Sequence, residues 1–154
     1  MSGEVRTGRE YPRAPIAGVA AVVLCGDEIL LVRRGRAPML GAWSLPGGAL
    51  EMGETSAEEA VREVFEESGV RVQPVDVITS IDRIYRDEQG RVQFHYVLVE
   101  WLCLADERCT PVCGDDAAEA RWVSRDEFFS DTYDLEAATL SVIKKALTMA
   151  EMSE

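Results

Sequence analysis

No apolar run in this sequence approaches the roughly 20 residues that span a bilayer as a helix. The opening stretch MSGEVRTGREYPRAP also lacks the apolar core of a secretory signal. A membrane-embedded or exported protein is therefore not expected, and the reading is cytoplasmic. Histidine occurs once, at His95, and cysteine four times, at Cys25, Cys103, Cys109 and Cys113. Cys109 and Cys113 are spaced C-x-x-x-C, but no second pair of cysteines or histidines completes a zinc site, and the four follow no compact disulfide framework. Reduced thiols are expected. Lysine is nearly missing too: 14 of the 16 basic residues are arginine. With 28 acidic residues and a formal net charge of −12, a sequence-independent grip on nucleic acid or on anionic lipid is disfavoured. Arginine's planar fork nonetheless suits phosphate and carboxylate, so local cationic spots fit on an acidic protein.

What is present is enough for one domain. A chain of 154 residues, 47% of them apolar, buries roughly two thirds of its unfolded surface, which supplies a full core. Residues 1–15 are polar, carry Pro12 and Pro15, and read as an N-terminal arm; residues 16–150 read as the domain. IAGVAAVVLC (16–25) is a buried strand, Gly26-Asp27 a hairpin turn and EILLVRR (28–34) the returning strand. A loop and a Pro-Gly-Gly turn lead through SLPGGALE into a short strand, followed by a helix over about 55–68. One or two strands are expected in 70–86, a long strand in 91–104, a short strand at ARWV, a short helix opened by Ser124 and a closing amphipathic helix over about 135–149. Hairpin-linked strands with one central and one terminal helix make an α+β sandwich.

The central helix carries its own end markers. Thr55 followed by Glu58 is a capping-box signature, and Gly69 is placed to end the helix in the left-handed conformation. At 100° per residue, Ala57, Ala60, Val61, Val64, Phe65 and Ser68 fall on one side and are expected to pack on the body of the protein. Glu59, Glu63, Glu66 and Glu67 gather on the other. That face is an electrostatic fault. Glu63 meets Glu66 and Glu67 at like-charge spacings, each unfavourable by a few tenths of a kcal/mol, roughly 0.2–0.5. Glu66 and Glu67 also occupy the last turn, where the helix dipole disfavours anions by about 0.3–1 kcal/mol apiece. From Glu51 to Glu67 there are seven glutamates and one base, Arg62, so this segment holds half of the net charge. A solvated helix face would mix lysines among its acids. A hard dication removes the conflict, because Mg²⁺ or Mn²⁺ takes oxygen ligands and keeps room for waters and phosphates.

From Gly48 the chain reads GALEMGETSAEEAVREVFEESGV. This 23-residue stretch resembles the Nudix box position for position: Gly48, Glu54, Arg62-Glu63, apolar Val64, Glu66-Glu67, Gly69 and apolar Val70. The resemblance extends more loosely over residues 16–147, through WSLPGG and the order of strands. It implies a MutT-like Nudix hydrolase: an α/β/α sandwich with a mixed β-sheet, a central catalytic helix and a C-terminal helix. It also implies hydrolysis of a nucleoside diphosphate linked to another group, dependent on Mg²⁺ or Mn²⁺. Carried over by position, Glu63, Glu66 and Glu67 would be metal ligands, joined by the backbone carbonyl of Gly47. Glu63 works in some members as base or orienter instead. Glu54 would be an outer carboxylate, and Arg62 would fix the geometry of the glutamates around it. The additional acidic base often comes from a loop before a Trp-apolar strand; in GDDAAEARWV that makes Asp116 the first candidate, with Asp115 and Glu119 as alternatives. Glycine at 47 and 48 lets backbone approach metal and phosphate with no Cβ in the way. Positive charge around a pyrophosphate offsets its ring of negative oxygens and eases attack by water.

Substrate contacts are less well marked. Arg34, Arg83 and Arg86 are candidates for phosphate or base, as are Arg33, Arg36 and Arg91, and Trp43 and Tyr85 could stack on a nucleobase. Strand alternation puts Phe94, Tyr96 and Leu98 on one face and His95, Val97 and Val99 on the other. His95 therefore reads as structural or ligand-facing rather than as a general base. Among relatives by resemblance, ADP-ribose hydrolases often carry a proline where this chain has Arg86, and many dinucleoside polyphosphate hydrolases carry a tyrosine just beyond Tyr85. The regions LLVRR…GAWSLPGG and HYVL tilt the reading toward ADP-ribose or a nucleotide sugar. A dinucleoside polyphosphate or damaged NTP is the alternative, and a nucleotide-sensing domain without catalysis is the rival from outside enzymology. No nucleic-acid or membrane partner is expected; a homodimer, with the arm exchanged, is common in the resembling group.

Overall fold

The computed structural model describes residues 9–152, so of the expected arm only residues 9–15 are described and 1–8 lie outside. Ten elements follow in order: β1 (Ile16–Cys25), β2 (Glu28–Arg34), β3 (Trp43–Ser44), β4 (Gly47–Ala49), α1 (Ser56–Ser68), β5 (Val72–Arg86), β6 (Val92–Ala105), β7 (Ala117–Ser124), α2 (Arg125–Phe128) and α3 (Ala137–Met152). The fold is α+β, with a mixed sheet between α1 and α3.

Strand β1 is the centre of the molecule. Its odd-numbered side chains Val19, Ala21 and Val23 pack with Ala60 and Val64 of α1, while Ala20, Val22 and Leu24 pack with Val142, Ile143 and Ala146 of α3. A strand covered on both faces must be apolar throughout, which explains the unbroken IAGVAAVVLC. Each fully buried Val, Leu or Ile contributes about 1.5–3 kcal/mol of transfer free energy. β1 runs parallel to β6, and β6 pairs antiparallel with β5. The one-or-two-strand ambiguity of 70–86 resolves into a single strand with irregularities at Pro74/Asp76, Val77/Thr79 and Tyr85/Arg86.

The topology splits where the site forms. β1 and β2 pair only at Leu24–Ile29 and Cys25–Glu28, next to the Gly26 turn with its φ of +59°. Beyond that point the strands part. β2 goes on to pair with β3 and β7, while Gly18–Ala20 of β1 pairs with β4. The opening between the diverging strands is lined by residues of both. β7 is longer than the ARWV core because its whole length finds hydrogen-bond partners on β2, from Ala117 opposite Arg34 to Ser124 opposite Glu28.

Both marked ends of α1 form. Thr55 Oγ1 accepts from the Glu58 N–H at 3.1 Å, and Gly69, at φ +72°, donates its N–H to Phe65 O. The expected faces need correction. Phe65 is exposed, with the Arg71 guanidinium over its ring at 4.7 Å, whereas Glu59 and Glu63 are buried. The helix is rotated relative to a simple apolar-in, acid-out arrangement: Glu63 is directed into the cleft, while Glu59 is buried outside its lining.

Candidate functional site

Packing of Ala60 and Val64 against β1 fixes the roll of α1 and aims Glu63 and Glu67 at β4. There the two glycines matter for separate reasons. Gly47 donates its N–H to Glu67 Oε2 at 2.9 Å. A Cβ on Gly48 would stand 2.6 Å from Glu63 Oε1, so the space a side chain would need is taken by the carboxylate. Arg62 holds the rest. Its Nε and Nη2 donate to the two oxygens of Glu54 at 2.7 and 3.0 Å, a bidentate pair, and its Nη1 donates to Glu63 Oε1 at 3.1 Å and Glu66 Oε2 at 3.0 Å. Glu51 and Glu59 lie further out, at 3.6 and 3.9 Å.

One guanidinium cannot neutralise so many carboxylates, and burial adds to their conflict. The hydrogen bonds from Arg62 hold Glu54 below the usual carboxylate range. Burial pushes Glu63 up to about 7, against the pull of Arg62 and with the charges of Glu66 and Asp115 adding to the rise. Burial and then the charge of Glu63 push Glu67 up to about 8, although the Gly47 N–H and Arg34 oppose the shift. Glu59, fully buried with neither oxygen hydrogen-bonded among the described residues, is pushed up to about 8 by burial, then by Glu63 and Glu54.

Among the described residues, the carboxylate from outside the helix that comes together with Glu63 and Glu66 is Asp115. The preceding loop docks on the C-terminal end of α1: Val112 N–H donates to Ser68 O at 2.9 Å and Gly114 N–H to Glu67 O at 3.2 Å. These bonds satisfy carbonyls that a helix end leaves unpaired. A Cβ on Gly114 would come within 2.7 Å of Glu66 O, so glycine is what permits the approach. Asp115 follows at φ +52°, and one oxygen from each of Glu63, Glu66 and Asp115 lies within 4.8 Å of the others. Asp116 is turned away to Arg36 at 2.8 Å, and Glu119 to Arg33 at 3.1 Å and Arg121 at 2.8 Å.

The acidic helix forms one wall of a cavity of about 650 Å³, within the range of small-molecule sites. Arg34, Arg83, Tyr85 and Trp43 line it and Arg86 does not; the Arg86 Nη1 donates to Gly90 O instead. Arg34 is half-buried, its desolvation lowers its pKa, and its Nε donates to the Pro38 carbonyl. Among the described residues no carboxylate lies within salt-bridge distance of it. Arg83 is occupied by Glu136 at 2.7 Å and Thr139 at 3.0 Å. Trp43 packs edge-on against Tyr133 with ring centroids 5.1 Å apart. His95 is not among the lining residues, whereas Tyr96, Leu98 and Glu100 on the alternate face of β6 are.

A family model described as the NUDIX domain matches residues 14–145. The chain belongs to the Nudix hydrolase family. It is 30% identical over 110 residues to an ADP-ribose pyrophosphatase of Methanocaldococcus jannaschii, covering 70% of this chain and 61% of that protein. It is 37% identical over 125 residues to the putative mutator protein MutT4 of Mycobacterium tuberculosis, covering 79% and 44%. Among solved structures it resembles the bifunctional NMN adenylyltransferase/ADP ribose pyrophosphatase of Francisella tularensis complexed with AMP and Mn ion, with a TM-score of 0.67, 25% identity and coverage of 88% and 42%. The chain spans about half the length of the curated relatives it matches. Among the described residues no helix is long and apolar enough to cross a membrane.

For this Nudix domain the donor set fits a hard divalent cation. All the converging groups are carboxylate oxygens, with no thiol or imidazole among them, and that chemistry selects Mg²⁺ or Mn²⁺ over softer metals. The buried carboxyls whose ionisation the protein alone resists are the groups a dication would favour in charged form. Two of the lining carboxylates, Glu100 and Glu136, were not singled out from the sequence. Glu136 was unmarked, but Glu100 had a signal: it is the one charge inside the run YVLVEWLCL.

Proposed function

We propose that this domain hydrolyses the pyrophosphate bond of a nucleoside diphosphate linked to a second group, with ADP-ribose or a nucleotide sugar as substrate and Mg²⁺ or Mn²⁺ as cofactor. The observation that carries the reading is the convergence of Glu63, Glu66 and Asp115 beside Glu67, in a cleft that also presents Arg34. Glu63, Glu66, Glu67 and Asp115, with the Gly47 backbone, would hold the cation. When bound, it would offset phosphate charge and lower the pKa of a coordinated water. The protein's own parts are then distinct. Arg62 and Glu54 form a rigid bracket that keeps Glu63 and Glu66 in one geometry. Arg34, desolvated and without a carboxylate partner, suits a phosphate oxygen. Asp115, exposed and on a loop, would close the cation's ligand set from outside the helix and so orient a water bound there, and Asp116, held by Arg36, is better placed to keep that loop on the cleft. The ADP-ribose pyrophosphatase relative supports the substrate class.

The test is a turnover screen over ADP-ribose, nucleotide sugars, dinucleoside polyphosphates, NADH and damaged NTPs with Mg²⁺ or Mn²⁺, alongside Glu67→Gln. Metal-dependent release of a nucleoside monophosphate, lost in the variant, is the expected result; turnover equal to the parent on every substrate would sink the assignment. A second reading, an NTP pyrophosphohydrolase, is favoured by the resemblance to MutT4, and the same screen separates the two. The intact Glu63, Glu66 and Glu67 set speaks against a sensor without catalysis. The four free thiols suit a reducing, cytoplasmic compartment. Exposed Val75, Val77, Ile84 and Val97 on β5 and β6 suit a homodimer, which light scattering on the purified protein would register as twice the monomer mass.

A further inference from the structure

We propose that Glu100 is a specificity-determining residue, accepting a hydrogen bond from a neutral O–H or N–H group of the substrate on the α3 side of the cavity. The proposal rests on the hydrolase reading above and adds to it a subsite that the acidic helix does not supply.

Glu100 lies in the middle of β6, opposite Ala20 of β1 and Thr79 of β5. The residue is 1% exposed and lines the cavity, and its Oε2 has no hydrogen-bond partner among the described residues. On either side along the same face, Leu102 belongs to the core under α3 and Leu98 lines the cavity. A leucine at this position would fit that row without penalty. A carboxyl does not, since burying one without a partner costs free energy that packing fails to return. The opposing charge is Arg83, which is already held by Glu136 and Thr139. Burial accordingly pushes Glu100 up to about 7, only partly countered by Arg83. A buried acceptor without a partner among the described residues, on a side chain that lines a cavity, is a group that awaits a donor.

The chemistry of that donor follows from the neighbours. A second carboxylate, Glu136, also lines this part, accepting from Arg83 and from the Tyr85 hydroxyl. Two acids repel a phosphate. Phosphate is better served by Arg34 and by the cation-binding wall, which leaves the neutral ends of a nucleoside diphosphate derivative for the Glu100 side. Those ends carry donors of one kind from two sources: sugar hydroxyls and the amino group of a base.

The experiment compares wild type, Glu100→Leu and Glu100→Gln by steady-state kinetics on the best substrate of the screen, ADP-ribose first, with thermal unfolding in parallel. Glu100→Leu should unfold at or above the wild-type temperature while its KM rises about tenfold to a hundredfold, the worth of one hydrogen bond to a charged group. Its kcat should change less than KM, and Glu100→Gln, whose amide oxygen still accepts, should recover part of the loss. IDP-ribose, which lacks the exocyclic amine, and an ADP-deoxyribose distinguish the sources. The analogue missing the donor is penalised in wild type, and the penalty disappears in Glu100→Leu. An unchanged KM in Glu100→Leu on a substrate that wild type hydrolyses overturns the proposal, as does a fall in unfolding temperature with KM unmoved, which marks a structural role. If wild type turns over nothing in the panel, the hydrolase reading itself fails, and that is read from wild type alone.

Discussion

Replacing Glu67 by glutamine should stabilise the metal-free protein near neutral pH while removing turnover. The Glu67 carboxyl is mostly buried beside Glu63, and burial together with that charge pushes it from 4.5 up to about 8. Between those two values the unfolded chain has released a proton that the folded chain retains, so this group's contribution to stability falls as pH rises from 4.5 to 8. At about 1.4 kcal/mol per pH unit, holding it neutral at pH 7 costs about 2–3 kcal/mol, allowing for its coupling to Glu63. Glutamine has no proton to release, and its amide oxygen can still accept from the Gly47 N–H. Glu67→Gln should therefore match wild type near pH 4.5, gain steadily with pH, and unfold roughly 5–10 °C higher at pH 7 in EDTA for a chain of this size. Saturating Mg²⁺ should narrow or reverse the gap, since a ligand at a hundred times its Kd adds about 2.7 kcal/mol to the protein that binds it. Calorimetric unfolding at pH 4.5, 6 and 8, with EDTA and with Mg²⁺, reads all of this. A variant less stable than wild type at pH 7 without metal, or a difference that does not change with pH, would refute the reasoning.

Arg62→Lys, which keeps the charge and loses the fork, should lower Mg²⁺ affinity or kcat by about tenfold to a hundredfold with little change in fold, as loss of a group orienting metal ligands does. Metal titration followed by calorimetry checks it. Gly48→Ala should leave the unfolding temperature within a few degrees, because the three atoms nearest the added Cβ all belong to the Glu63 carboxyl at the end of a flexible side chain, yet reduce kcat by roughly a hundredfold as that carboxyl is displaced. Asp115→Asn should weaken Mn²⁺ binding, measured by electron paramagnetic resonance, more than Asp116→Asn does; the reverse order would return the role to Asp116. Ile143→Ala, a fully buried position under β1, should cost about 2–5 kcal/mol in denaturant unfolding and leave KM unchanged.

The parts of this protein that depend on neighbours along the chain were legible without a structure. β1, β2, the ends of α1 and the closing helix follow from apolar period, Thr55 as cap and Gly69 as stop, all of them local signals. The orientation of α1 did not follow. Periodicity set Phe65 inside and Glu59 outside, and the fold reverses both, since the cleft gives Glu63 and Glu67 a place that solvent-facing logic does not anticipate. Asp115 and Asp116 are adjacent in sequence and equivalent in chemistry. Only the docking of Val112 and Gly114 on the end of α1, with the pairing of β7 on β2, turns one to the cluster and the other to Arg36.

By itself the sequence determined that acids crowd the end of a helix at a spacing whose repulsion a dication would relieve. That conclusion needs only charge, helical period and the order of residues, which are properties of one segment. The tertiary structure alone decided that Arg34 faces the cavity with no carboxylate in salt-bridge reach among the described residues, which aspartate joins the glutamates, and that Glu100 is a buried acceptor in the wall rather than a misplaced charge in a strand. Each of those depends on strands far apart in the chain being brought side by side, and the sequence pattern of any one strand carries no record of what will lie across from it.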